Sequence, residues 1–117
     1  MDAEISPSEV EALLETTEAP RIVDIRSPAA FERGHIPGSE NIPFNQLPQR
    51  VETLVDADRI VTVCPHGQAS VQAARLINSY EGTETARVES MHGGLTEWDG
   101  ELEAESTTAT EGPESPF

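Results

Sequence analysis

Between Arg59 and Tyr80 the chain reads RIVTVCPHGQASVQAARLINSY, and this stretch leaves few folds open. Four β-forming residues, Ile60-Val61-Thr62-Val63, run directly into Cys64, the single cysteine of the chain. A compact loop follows, Pro65-His66-Gly67-Gln68-Ala69-Ser70, and then Val71, Ala74, Ile77 and Tyr80 recur at helical spacing. Periodicity therefore reads as strand, loop, helix. That order puts a thiol at the carboxyl end of a buried strand, facing backbone N–H groups at a helix N-terminus. Such groups have no partner inside the helix and carry partial positive charge. A thiolate is stabilised there, so its pKa falls and its nucleophilic fraction at neutral pH rises. The same N–H groups can hold an anion beside the sulfur. A lone cysteine is often a small apolar filler. The strand-to-loop junction, where parallel α/β sheets place their sites, makes Cys64 a candidate reactive thiol.

At 117 residues the chain has room for one domain with a modest core. No apolar run approaches the roughly 20 residues that cross a membrane. The N-terminus, MDAEISPSEVE, is acidic and lacks the apolar stretch of a secretory signal. One cysteine excludes an internal disulfide, and His35, His66 and His92 show none of the paired spacings of a zinc site. A cytoplasmic protein without metal or cofactor is expected.

The charge balance is extreme: 22 acidic residues face 7 basic ones, all arginine, for a net charge of −15. Nucleic acid and anionic membrane are poor partners for that surface. Dispersed acidity without lysine fits adaptation to high internal salt, where screening removes self-repulsion. A basic protein partner is the alternative; the absence of any single acidic patch favours the salt reading.

Taken in order, Ser6-Pro7-Ser8-Glu9 is a helix start with a capping box, and Val10, Leu13 and Leu14 give that helix its apolar side. Ile5 before it fits either a short strand or a hydrophobic staple. Arg21–Ile25 reads as a strand apolar on both faces, as in a covered parallel sheet. Ser27-Pro28 opens a brief helix to about Arg33, and Gly34–Ser39 is rich in turn formers. A short strand is expected at Glu40–Ile42, a weak helix from Asn45 to about Leu54 with Pro48 inside it, and a helix over Ser70–Ser79. A strand over Ala86–Glu89 follows, then a loop with Gly93 and Gly94, then a helical turn from Leu95 to Trp98. Strands alternating with helices indicate an α/β fold with a mainly parallel central sheet and helices on both faces. The folded unit spans residues 1–100. Residues 101–117, ELEAESTTATEGPESPF, offer almost nothing to bury and read as an acidic disordered tail.

Four segments, in order, resemble those of a single-domain rhodanese: Val23-Asp24-Ile25-Arg26; Phe31–Ser39 continuing to Asn41-Ile42-Pro43; Cys64-Pro65-His66-Gly67-Gln68-Ala69-Ser70; and Gly93-Gly94-Leu95 with Trp98. Any one is weak, but together they cover Ile5 to Trp98. The resemblance implies a rhodanese-like domain and a sulfurtransferase that works through a cysteine persulfide. Cys64 would take sulfur from thiosulfate, polysulfide or a protein persulfide donor and pass it to a thiol or cyanide acceptor. The loop residues Pro65, His66, Gly67, Gln68, Ala69 and Ser70 would wrap the bound sulfur with N–H groups. Asp24 and Arg26 are expected to fix loop geometry, and His35 to hold the turn at Gly34–Gly38; Gly93 and Gly94 would permit close packing, with Trp98 anchoring the last turn.

One departure bears on the donor. Many members carry arginine where this chain has Ala69, which leaves His66 as the loop's only potential cation. A histidine is not a fixed cation at neutral pH. Thiosulfate, a dianion, then has no fixed charge to meet, and polysulfide or a protein-borne persulfide is equally suited. Two other classes compare with this reading. A Cys-x5-Arg phosphatase or arsenate reductase needs arginine where Ser70 stands, so the sequence disfavours it. A partner-dependent sulfur carrier or regulatory module needs only Cys64 and its loop, and it remains the second reading.

Overall fold

The computed structural model describes residues 3–17, 19–83 and 85–104. Five parallel strands form one sheet in the order β1-β5-β4-β2-β3: β1 is Glu4–Ile5, β2 Arg21–Asp24, β3 Glu40–Asn41, β4 Arg59–Val63 and β5 Arg87–Met91. The central strand β4 pairs Thr62 with Val23 on one side and with Ser90 on the other. Helix α1 (Pro7–Leu14) follows β1, α2 (Pro28–Arg33) follows β2, α3 (Leu47–Arg50) lies between β3 and β4, and α4 (Ala69–Asn78) joins β4 to β5.

Alternation along β4 sorts the core into two layers, because successive side chains of a strand point to opposite faces. Ile60 and Cys64 pack with Val23, Leu47, Ala73 and Ile77 on the α3–α4 face. Val61 and Val63 pack with Val10, Ile22, Ile36 and Met91 on the α1 face. A sheet covered on both sides needs apolar residues at consecutive positions, and Ile60 to Val63 are all buried. Both outer strands are two residues long, which leaves little exposed edge.

Local chemistry accounts for the helix starts. At α1 the Ser6 hydroxyl accepts from Glu9 N–H at 3.2 Å, and the Glu9 carboxylate accepts from Ser6 N–H at 3.3 Å. Ser27 caps α2 by accepting from Ala30 N–H at 3.3 Å. Two carboxylates are buried within the sheet, Asp24 and Glu89, and each is met by arginine: Arg26 at 2.8 Å and Arg59 at 2.8 Å. A buried charge of this kind needs such a partner.

Several expectations change in detail. Ile5 belongs to a strand, pairing with Met91. The weak helix expected from Asn45 to Leu54 is a 3₁₀ turn at Phe44–Gln46, α3, and a second 3₁₀ turn at Val51–Leu54. Pro48 lies in the first turn of α3 rather than inside a longer helix, where its missing N–H has no role. The last helical turn is also 3₁₀, at Gly94–Glu97. Strand β5 runs on past Glu89 to Met91 because β1 pairs with its final two residues. Of the tail expected from Glu101 onward, residues 101–104 are described. Glu103 exchanges both backbone hydrogen bonds with His35, at 2.8 and 2.9 Å, so chain with little to bury is still held by main-chain pairing. Residues 105–117 lie outside the described residues. No helix among the described residues is long and apolar enough to cross a membrane.

Candidate active site

Cys64 is the first residue beyond β4, and the chain curls around its sulfur before α4 begins. The Sγ accepts N–H bonds from Gly67 at 3.0 Å and Ser70 at 3.3 Å, and lies 3.3 Å from the Ser70 hydroxyl oxygen. Gly67 makes the curl possible: its φ is +85°, and a Cβ there would stand 2.7 Å from the nitrogen of Gly93. Cys64, Gly67 and Ser70 are buried, whereas Pro65, His66, Gln68 and Ala69 are exposed. The sulfur thus sits at the floor of a loop whose rim faces solvent.

A second segment holds that loop from outside. Leu95 N–H donates to the Cys64 carbonyl at 2.9 Å, and Thr96 N–H donates to the Pro65 carbonyl at 3.1 Å. With its first two carbonyls bound outward, the loop is left to turn N–H groups toward the sulfur, the arrangement of an anion nest. Gly94 permits the contact, since a side chain there would overlap the Cys64 and Pro65 carbonyls. Among the described residues the N–H groups of Gln68 and Ala69 have no protein acceptor.

The surroundings act on the thiol in opposite directions. Burial pushes the Cys64 pKa up, because a thiolate loses hydration. Hydrogen bonds from the Ser70 side chain and from the backbone of Ser70, Gly67 and His66 pull it down and prevail, leaving it below the ordinary cysteine value. No charged side chain figures among these causes. The lowering comes from oriented dipoles.

Asp24 and Arg26 stand beside this loop, because Asp24 pairs with Val63 in the sheet and Ile25 N–H donates to the Val63 carbonyl at 3.0 Å. The Asp24 carboxylate accepts from Arg26 N–H at 3.0 Å, from its Nε at 2.9 Å and from its Nη2 at 2.8 Å. Arg26 Nη2 also donates to the Gly34 carbonyl at 2.7 Å. Asn41 Nδ2 reaches the carbonyls of Asp24 and Arg26, each at 3.0 Å. Arg26 is thus engaged by the Asp24 carboxylate and the Gly34 carbonyl. His35 is buried and stacks on Phe31 with ring centroids 3.8 Å apart. Its Nδ1 is 2.7 Å from the Phe31 carbonyl, an acceptor only, so Nδ1 carries the proton. Among the described residues no three His, Cys, Asp or Glu side chains gather as metal ligands.

The sequence reading passed over two hydroxyls behind the sulfur. Ser90 and Thr62, paired in the sheet, are both fully buried. Ser90 Oγ is 2.7 Å from Ser70 Oγ, and Thr62 Oγ1 donates to the Ser70 carbonyl at 2.7 Å. A last strand that ends at Glu89 leaves Ser90 outside the sheet, whereas β5 includes it. The available signal was spacing: Ser90 lies two residues beyond Val88 and so shares its face.

A buried cysteine of lowered pKa in an amide-lined loop at the end of a central parallel strand points to a class of protein. The chain belongs to the rhodanese family: the Rhodanese-like domain family matches residues 6–101. Among curated relatives, a thiosulfate sulfurtransferase GlpE of Pseudomonas syringae pv. syringae is 34% identical, over 80% of this chain and 84% of its own. GlpE of Pseudoalteromonas translucida is 37% identical, over 67% of this chain and 71% of its own. A putative sulfur carrier protein YrkF of Bacillus subtilis is 30% identical over 86% of this chain. The chain spans 52% of the length of YrkF and 64% of that of a further Bacillus subtilis relative, YqhL. Among solved structures, a rhodanese-like domain protein from Staphylococcus aureus superposes with a TM-score of 0.76 at 23% identity, covering 89% of this chain and 99% of that one.

Proposed function

We propose that this domain is a sulfurtransferase that carries sulfane sulfur as a Cys64 persulfide. The observation that carries the reading is the buried Sγ held by the N–H groups of Gly67 and Ser70, with its pKa lowered by hydrogen bonds alone. In the first half-reaction the Cys64 thiolate attacks the outer sulfur of the donor. With thiosulfate the S–S bond breaks, sulfite leaves with the bonding pair, and Cys64–S–S⁻ remains. The N–H groups of Gln68 and Ala69, without acceptors in the protein, supply further donors for that anion. In the second half-reaction an acceptor thiolate or cyanide attacks the outer sulfur, takes it as RSS⁻ or thiocyanate, and restores the Cys64 thiolate. Two half-reactions through a covalent intermediate give ping-pong kinetics. With Cys64 the only cysteine, the sulfur leaves to a separate acceptor molecule. An unpaired thiol suits a reducing compartment such as the cytoplasm.

A second reading is favoured by one observation. The loop rim holds Ala69 and His66 but no arginine or lysine. A domain without a fixed cation for thiosulfate can still accept sulfur from a persulfide on another protein and pass it on, which makes it a carrier. Intact-mass spectrometry at high and low KCl, after exposure to thiosulfate and separately to polysulfide, tests both. One added sulfur that is removed by cyanide and absent from Cys64→Ser is the expected result. A Cys64→Ser protein that still gains the sulfur would overturn the mechanism. Loading by polysulfide and not by thiosulfate would favour the carrier.

A further inference from the structure

Behind the sulfur stand two hydroxyls that the transfer steps above do not use. Cys64 Sγ is 3.3 Å from Ser70 Oγ, and Ser70 Oγ is 2.7 Å from Ser90 Oγ. Cys64 is 2% exposed and both serines 0%, so the row is closed to bulk water. Each hydroxyl has one proton to give, and among the described residues Ser70 Oγ is the only partner of Ser90 Oγ.

That restriction sets the direction of the row. A buried hydroxyl proton without an acceptor is costly. The Ser90 proton therefore goes to Ser70 Oγ. Ser70, now accepting from Ser90, turns its own proton to Cys64 Sγ, which meets it best as a thiolate. The opposite order, with the thiol donating to Ser70 and Ser70 donating to Ser90, leaves the Ser90 proton with no described acceptor. It also relies on S–H, a weak donor. Only the first order satisfies every donor.

We propose that Ser90 is a positioning residue that aims the Ser70 hydroxyl proton at the Cys64 thiolate. It acts through Ser70 and does not touch the reacting sulfur. Its place follows from the sheet: Ser90 pairs with Thr62, both lie on the face covered by α4, and Thr62 Oγ1 holds the Ser70 carbonyl at 2.7 Å. One strand neighbour thus fixes the Ser70 backbone while the other fixes its hydroxyl. The charged groups on the surrounding elements are engaged elsewhere or exposed. Asp24 is paired with Arg26, Glu89 with Arg59, and His66 is on the solvent side of the loop.

The inference rests on Cys64 acting as a thiolate nucleophile, and its test does not require sulfur transfer. The thiol is titrated in the full chain by the pH dependence of its alkylation by iodoacetamide. Ser90→Ala is expected to raise the Cys64 pKa by about half a unit to one unit. In a Ser70→Ala background the same change should have no effect, since the connecting hydroxyl is gone. Because an altered core could disturb folding, Ser90→Thr and Ser90→Val form a second pair of equal shape that differ in the hydroxyl. The threonine variant should titrate about one unit or less below the valine variant. A pKa within about 0.2 unit of the parent in Ser90→Ala, or equal shifts with and without Ser70, would overturn the proposal, as would identical titration of the threonine and valine variants. If the shift appears while no donor loads sulfur on Cys64, the sulfur-transfer reading fails and the relay stands. If sulfur loads and the shift is missing, only the relay fails.

Discussion

Leu95 donates its backbone N–H to the carbonyl oxygen of Cys64 at 2.9 Å, so the turn after β5 holds the peptide group of Cys64 in place. The bond closes only because Gly94, at φ +65°, brings the two backbones into contact. Gly94→Ala is expected to cost about 1–2 kcal/mol for the left-handed conformation, with a further loss from overlap with the Cys64 and Pro65 carbonyls. Gly38→Ala is the control, since φ is +83° there and a Cβ meets nothing within 4 Å. Thermal unfolding should separate the two, and sulfur loading should drop at least about tenfold in Gly94→Ala alone. Equal losses in both variants would show that the turn does not support the loop.

The lowered thiol pKa couples stability to pH. In the unfolded chain Cys64 reverts toward the ordinary value of 9.0, above its value in the fold. The folded state therefore holds fewer protons, and the thiolate's contribution is fully present above the unfolded value and lost as pH falls through the folded one. Cys64→Ala lacks this contribution. The stability of the parent relative to Cys64→Ala, measured by urea unfolding, should rise with pH up to about 9 and then level off. A difference that stays flat or falls would contradict a stabilised thiolate.

Ala69 is exposed and is the first residue of α4, a position from which an arginine can reach over the loop rim. Ala69→Arg is expected to raise kcat/KM for thiosulfate by about tenfold, the worth of one charge-assisted hydrogen bond. Activity with an uncharged donor such as elemental sulfur should change less. Because the protein carries a net charge of −15, the gain should be clearest against a parent assayed at low salt, where repulsion of the dianion is unscreened. Steady-state assays at low and high KCl check both expectations. No gain at either salt would remove charge as the determinant of donor choice.

Much of this molecule is legible along the chain because its signals are local. The apolar run before Cys64 marks a strand buried on both faces, Ser6 and Ser27 with the prolines after them mark two helix starts, and the order of strands and helices marks a parallel sheet. Local chemistry misled where a distant partner decides an element's length. Met91 joins a strand because Ile5 pairs with it, and Glu103 stays on the fold because His35 offers its backbone; neither partner is near in sequence.

By itself the sequence determined that a single thiol ends a central strand ahead of an amide-rich loop and a helix, a consequence of residue order and backbone preference. What only the tertiary structure decided is what surrounds that thiol. The Leu95 and Thr96 amides that hold the loop carbonyls, and the Ser90 hydroxyl behind Ser70, come from the last strand and the turn after it. These contacts join residues 20 or more positions apart, and their geometry is set by sheet register and by a close glycine approach that no local pattern encodes.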